Sequence, residues 1–219
     1  MNRSSKELIN DYMSALLEVN KHINLTRIED GVAARLLHIE DSLSGLPELN
    51  DAPQGDYVDL GSGGGFPGVP LALASGRQTL LVDSVKKKMA AVSSILKELD
   101  LSDRISTYDG RIEELSSLRN QCFSVATARA LAQLSVLMEL ASPLLRIQGR
   151  LICFKAQVSE EEYSHAMKLQ SYLGMKLVSD RSFVLSDGIT NRRIIVFEKV
   201  KQPGLKLPRR IGLAQKKPL

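Results

Sequence analysis

The sequence predicts an α/β fold built on a doubly wound, mostly parallel sheet. Three observations point there. From residue 57 onward, short β-rich runs alternate with helical ones, as parallel strands joined by crossover helices require. The first of these runs ends in a glycine-rich turn that opens a helix, the place where such sheets bind ligands. The last two runs are separated only by SDGIT, too short for a crossover helix, so they form an antiparallel hairpin at the sheet edge.

The elements follow in chain order. Residues 4–20 place Leu8, Ile9, Tyr12, Met13, Leu16 and Leu17 at helical spacing, with Ser4 or Ser5 as the N-cap. After the polar connector NKHINLTRIEDG, a second helix is predicted over 32–46, with Leu36, Leu37, Ile39 and Leu43 apolar. The turn-rich stretch PELNDAPQG (47–55) then divides an N-terminal helical extension (1–52) from a main domain (53–200). The strand-like runs of that domain are YVDL (57–60), TLLVD (79–83), RIST (104–107), FSVAT (123–127) and RLICF (150–154). Helices are predicted between them, over 86–99 and 131–145 among others. The hairpin pairs MKLVSDRSFVL with NRRIIVFEKV. A basic tail (201–219) ends the chain. Its Pro203, Gly204, Pro208 and Pro218 argue against regular structure, so it is expected to stay disordered until a partner orders it.

Composition narrows the function classes. With 43% hydrophobic and 25% charged residues, the chain is of ordinary globular type. No apolar run reaches the length of a membrane span, and MNRSSKELIN lacks a signal-peptide core, so a cytoplasmic protein with no membrane partner is expected. Cys122 and Cys153 both sit by apolar, strand-like runs and are expected to be buried thiols. No Cys or His cluster has metal-ligand spacing, so no metal site is expected. Charge is uneven. Residues 192–219 hold nine basic side chains against one acid, net +8, while the rest of the chain is net −4. Such asymmetry suggests either an end that meets a polyanion or a solvated tail that only aids solubility. Arg192, Arg193, Lys206, Arg209, Arg210, Lys216 and Lys217 are the candidate contacts to such a polyanion, RNA among them.

The turn YVDLGSGGGFPGVPLALA (57–74) carries the most chemistry. Gly61, Gly63 and Gly65 follow the strand, and Pro67 suits the first turn of a helix, where its missing N–H costs nothing. Residues 63–68, GGGFPG, fit the dinucleotide fingerprint G-x-G-x-x-G. A helix start that cradles phosphate uses free N–H groups, however, and Pro67 supplies none. In the other register, Asp59-x-Gly61-x-Gly63-x-Gly65, an acid stands before the glycines and resembles motif I of the class I methyltransferases. A carboxylate there suits the cationic S-adenosylmethionine and repels pyrophosphate. Asp83, at the end of the next strand, is placed to accept ribose hydroxyls in either case. The chemistry thus favours a methyltransferase with a Rossmann-like sheet over an NAD-dependent oxidoreductase, and over an RNA-binding factor that keeps only the fold.

Several segments together resemble one family, the bacterial ribosomal RNA small subunit methyltransferase G, or glucose-inhibited division protein B, family. They are NKHINLT (20–26), HIEDSL (38–43), VDLGSGGGFPGVPLAL (58–73), LVDSVKKKMAAVSSI (81–95), GRIEEL (110–115), ATARALAQL (126–134) and LICFKA (151–156), with the basic tail KLPRRIGLAQKKPL. One departure is the absence of Trp: Val19 stands before Asn20 where members often carry it, which reads as lost packing and not lost function. The resemblance implies methyl transfer from S-adenosyl-L-methionine, leaving S-adenosyl-L-homocysteine, to N7 of a guanine in the decoding-region 530 loop of 16S rRNA. It implies as partner that rRNA, a 30S subunit or an assembly intermediate, with the protein a monomer. It places cofactor contacts on Gly61, Phe66, Ile112, Glu113 and Arg129, to which the residues themselves add Asp83, Asp59 and Gly63. Ile112 would pack on the adenine and Glu113 would accept from the adenine or ribose edge.

Guanine N7 carries a lone pair and no proton, so no general base is required. Alignment and exclusion of water remain for the protein. Arg129 and Lys155, each ending a strand, are the candidate positioning residues, with Lys155 holding an RNA phosphate. His38 reads as a helix histidine. Because the tail is distant in sequence from Gly61, truncation after Gln202 is expected to leave cofactor affinity unchanged.

Overall fold

A computed structural model describes residues 3–26, 28 and 30–219; Arg27 and Glu29 of the connector lie outside the described residues. Helix α1 (Ser5–Asn20) is capped by Ser4, whose hydroxyl and backbone N–H both engage Glu7 in a capping box. Its apolar stripe, with Ile9, Tyr12, Met13 and Leu16, packs on the helix after the glycine turn and the helix after it. The second predicted helix exists but is irregular. It runs through α2 (Gly31–Ala34), started by an Asp30 cap, a π-helical segment (Arg35–Glu40) and α3 (Asp41–Leu43). The stretch expected to be a linker instead holds α4 (Leu46–Asp51). Pro47 sits in its first turn, where proline is tolerated, and Leu49 is fully buried, so the PELND segment is helical despite its turn-forming composition.

The strands are β1 (Tyr57–Leu60), β2 (Thr79–Val82), β3 (Ile105–Tyr108), β4 (Phe123–Arg129), β5 (Leu145–Lys155), β6 (Met175–Val184) and β7 (Asn191–Lys199). They form one seven-stranded sheet in the order β3-β2-β1-β4-β5-β7-β6. β1 to β5 pair in parallel, and β7 pairs antiparallel with both β5 and β6. The predicted hairpin is therefore present, with its second strand inserted between β5 and β6. Helices α5 (Gly68–Ser75), α6 (Lys86–Glu98), α7 (Ile112–Leu118), α8 (Leu134–Ala141) and α9 (Glu160–Leu169) cover the sheet. β1, β2 and most of β4 are buried throughout, as central parallel strands must be when helices lie on both faces. The strand order reverses between β1 and β4, which opens a crevice at the carboxyl ends of those strands.

Two expectations are corrected here. Cys153 is buried, but Cys122 precedes β4 and is exposed. The C-terminal tail is folded onto the protein. It ends in a short helix, α10 (Leu213–Lys216), whose Ala214 is buried against Val136 and Leu140 of α8. The prolines shape its path without preventing its packing. Among the described residues, no helix is long and apolar enough to cross a membrane.

Candidate active site

The glycine turn connects β1 to α5. Asp59, on β1, is completely buried beneath it and spends both oxygens on the fold. Oδ2 accepts from the Gly68 N–H at 3.0 Å and Oδ1 from the Thr127 hydroxyl at 2.6 Å. Asp59 lines neither of the cavities at this crevice, so its expected contact with the cofactor is replaced by a role in holding the turn. Burial pushes its carboxyl up to about 7, against the pull of Thr127, Gly68 and Arg129. The first free N–H of α5 is thus directed at Asp59, which removes the phosphate cradle a dinucleotide would need. Tyr12 of α1 braces the same turn by donating to the Gly64 carbonyl at 3.0 Å.

Asp83 follows β2 and carries two loads. Oδ2 accepts from the Gly63 N–H at 3.0 Å, and Oδ1 accepts from the Val85 N–H at 2.9 Å where α6 begins. It lines a cavity of about 80 Å³ together with Gly61, Gly110, Ile112, Glu113, Leu131 and Gln215. Four predicted cofactor residues (Gly61, Asp83, Ile112, Glu113) therefore meet in one place. The turn fits a ligand there. A Cβ built on Gly63 meets nothing within 4 Å, leaving open space in front of the turn, and φ of +54° is a region that suits glycine. Gln215 was not expected. It comes from the C-terminal tail, so the idea that the tail lies far from this site does not hold.

A second cavity, of about 430 Å³, lies on the other side of the β4 terminus. Leu37, His38, Asp41, Arg129, Lys155 and Arg192 are among the residues that line it. Its polar centre is Asp41, only 3% exposed, which accepts from Arg129 at 3.1 Å and from Arg192 at 3.0 Å. Burial opposes the charge on Arg129 and Asp41 restores it. The π-helical segment explains part of this geometry. Asp41 N–H donates to the Leu36 carbonyl five residues back, and the Leu37 carbonyl accepts from Arg129 at 3.0 Å. His38 stacks on Phe66 with centroids 4.5 Å apart, and its Nε2 lies 2.8 Å from the Thr26 hydroxyl. Burial, reinforced by Arg129, pushes its pKa down to about 4, so it is neutral near pH 7. Phe66 thus lies behind His38 and beside Arg129, not in the first cavity. Lys155 reaches the second cavity, but its ammonium pairs with Glu162 at 2.8 Å and donates to the Ala132 carbonyl.

Sequence reasoning singled out Arg129 but passed over Asp41. The signal was present in HIEDSL, where His38 and Asp41 stand three apart on one helical face. The candidate RNA contacts divide. Arg192 pairs with Asp41, Arg193 with Asp180 and Arg209 with Glu139. Among the described residues, Lys206, Arg210, Lys216 and Lys217 form no ion pair.

Strand order, glycine turn and crevice together define a Rossmann-like methyltransferase fold. Solved structures share it. An O-methyltransferase from Bacillus cereus in complex with SAH superposes with a TM-score of 0.60 at 16% identity, covering 86% of this chain and 90% of that one. A geranyl diphosphate methyltransferase in complex with SAM gives 0.61 at 15% identity, covering 82% and 95%. Closer relatives specify more. The model of the rRNA small subunit methyltransferase G family matches residues 5–195. The ribosomal RNA small subunit methyltransferase G of Lactobacillus helveticus is 33% identical, covering 98% of this chain and 91% of that protein. The protein of the same name from Streptococcus pyogenes serotype M5 is 34% identical, covering 100% and 93%. The chain belongs to the rRNA small subunit methyltransferase G family. It is a methyltransferase of small-subunit rRNA, with S-adenosylmethionine as methyl donor.

Proposed function

We propose that the chain methylates N7 of a guanine in the decoding-region 530 loop of 16S rRNA by direct in-line transfer without a general base. The observation that carries this reading is the pair of cavities set on either side of the β4 terminus, Arg129 to Leu131. The cavity at Gly61, Asp83 and Ile112 would hold S-adenosylmethionine, which supplies an electrophilic methyl on a sulfonium. The cavity at His38, Asp41, Arg129 and Arg192 would hold the base. Guanidinium donors match the O6 acceptor of guanine, and a carboxylate matches its N1 and N2 donors. Methylation at N7 leaves a positive base, and Asp41 would offset part of the positive charge that Arg129 and Arg192 bring to the same cavity. With its pKa lowered to about 4, His38 is a weak base, in keeping with chemistry that moves no proton. In this scheme the N-terminal extension (1–52) contributes His38 and Asp41, the main domain (53–200) the cofactor turn, and the tail (201–219) RNA affinity. The partner is 16S rRNA, free or within a 30S particle or its precursor, and the protein acts as a cytoplasmic monomer.

The test is incubation of the purified protein with labelled S-adenosylmethionine and unmodified ribosomal RNA or 30S subunits, followed by digestion and mapping of the label. One N7-methylguanine in that loop is the expected result. Label on an exocyclic amine, a ribose oxygen or another base would refute the reading. Asp41→Asn should lower single-turnover rate by at least tenfold while cofactor affinity changes less than threefold.

A further inference from the structure

The C-terminal segment is fastened over the first cavity at several points that the sequence alone does not connect. Arg209 grips Glu139 of α8 with two parallel bonds, Nε to Oε1 at 2.7 Å and Nη2 to Oε2 at 2.6 Å. Glu139 is only 3% exposed, so this is a charge-assisted pair largely out of water. Arg209 also donates to the Lys217 carbonyl, drawing both ends of the segment together. Between those ends, the Gly212 N–H donates to Glu113 Oε1 at 2.7 Å. Ala214 fills a buried apolar spot against Val136 and Leu140, beside Ile112. These contacts deliver Gln215 to the cavity wall, in the same lining as Gly61 and Asp83.

Two features tie this strap to the cofactor. First, its anchors are the site's own residues: Glu113 lines the cavity and also receives the Gly212 N–H, and Ile112 packs in the cluster that holds Ala214. Second, with the strap in place the cavity is about 80 Å³, against the ~300 Å³ or more that small-molecule and cofactor sites occupy. A ligand the size of an adenosyl amino acid exceeds it, and must extend through its mouth or displace a wall. Of the other walls, Val82 belongs to β2 and Leu140 to α8, both buried, and the Asp83–Ser84 and Gly110–Arg111 loops run directly out of β2 and into α7. The strap is the wall that belongs to no strand and no long helix and is joined to the rest of the protein at the few contacts above, so it is the one that can shift.

We propose that the segment 209–217 is the outer wall of the S-adenosylmethionine site, that Gln215 is a cofactor-contacting residue, and that the strap opens to admit the cofactor and closes to retain it. This rests on the placement of the cofactor in the Gly61–Asp83–Ile112 cavity. The Gln215 side chain offers both an amide donor and a carbonyl acceptor to a ligand rich in hydroxyls and ring nitrogens. Closure by a strap is expected to act on the dissociation rate above all.

The experiment measures S-adenosylhomocysteine binding by calorimetry and stopped flow on the full chain and three variants. Gly212→Pro removes the N–H that reaches Glu113 and is incompatible with the local φ of +75°, so it unlatches the strap without touching the core. Gln215→Ala removes the contact alone. Asp83→Ala tests the cofactor site itself. The expected result is a tenfold or greater rise in dissociation rate for Gly212→Pro, a three- to tenfold loss of affinity for Gln215→Ala, and loss of binding for Asp83→Ala, with melting temperatures confirming folded proteins. Unchanged binding in Gly212→Pro and Gln215→Ala, with Asp83→Ala impaired, would overturn the strap and leave the site standing. Unchanged binding in all three would remove the site and the strap together.

Discussion

Asp59 shows how far one side chain's role depends on where its oxygens go. An acid before G-x-G-x-G suggests a partner for a sulfonium. In the folded protein both oxygens are committed, to Gly68 and Thr127, and Thr127 in turn accepts from the Tyr57 hydroxyl at 2.7 Å. An amide can keep these contacts with one reversal: its oxygen accepts from Gly68, its NH2 donates to Thr127, and Thr127 then donates to Tyr57 in place of accepting from it. Asp59→Asn should therefore melt within a few degrees of the parent and bind S-adenosylhomocysteine with less than threefold change. Asp59→Ala strands two buried polar groups, at about 1–3 kcal/mol each, and should melt well below it. The pH dependence follows with a definite sign. The folded carboxyl is raised to about 7 from an ordinary 3.8, so between those values the folded state binds more protons than the unfolded one. Its contribution to stability is present below pH 4 and is lost as pH rises toward 7. Chemical denaturation at pH 4.5 and 8 should show Asp59→Asn gaining relative to the parent at pH 8. A variant that loses cofactor binding outright while staying folded would restore the electrostatic role.

At the scale of elements, most of the sheet was legible because central parallel strands are short apolar runs with few alternatives. YVDL coincides with β1, and the other runs overlap their strands closely, with β5 beginning five residues earlier than RLICF. What composition hid were elements fixed by distant partners. PELND forms α4 because Leu49 is buried by the rest of the molecule. The tail packs because Arg209 finds Glu139, 70 residues away, and Gly212 finds Glu113, 99 residues away. No local pattern encodes such pairings. The same holds for the base cavity, where Asp41 meets Arg129 and Arg192 across 88 and 151 residues. The glycine turn, by contrast, was readable, and it supports a sharp test of its own. Gly61 and Gly63 both have positive φ, but a Cβ on Gly61 would meet Leu131 at 2.8 Å, whereas one on Gly63 enters open space. Gly63→Ala should cost roughly 1–2 kcal/mol from the left-handed backbone alone. If the cofactor lies against the turn, the same methyl should weaken S-adenosylhomocysteine binding by tenfold or more. Equal affinity in a folded Gly63→Ala protein would move the ligand away from this turn.

For the molecule as a whole, the basic end has to be divided between two tasks. The sequence counted nine cations in 192–219 as one polyanion surface. Folding withdraws several. Lys199 is buried and donates to the Ser142 and Leu145 carbonyls, while Arg192, Arg193 and Arg209 face carboxylates. Lys201, Lys206, Arg210, Lys216 and Lys217 are left, the last four carried on or beside the strap that borders the cofactor cavity. Deleting the whole tail would thus confound RNA affinity with cofactor retention. Replacing those four by Gln separates them, because Arg209, Gly212, Ala214 and Gln215 remain. Each Lys or Arg that neutralises a phosphate contributes a slope of about −0.7 to −0.9 in log K against log salt. If all four meet RNA, the quadruple variant should lose about 3 from the magnitude of that slope. S-adenosylhomocysteine affinity should stay within twofold. The methylated guanine should also be unchanged, since phosphate contacts set affinity and register while the base is selected in the cavity at Asp41. A salt-titrated binding curve parallel to that of the parent protein would show these cations to be solvated charge. RNA recognition would then rest on the cavity rim, where Arg192 pairs with the same carboxylate as Arg129.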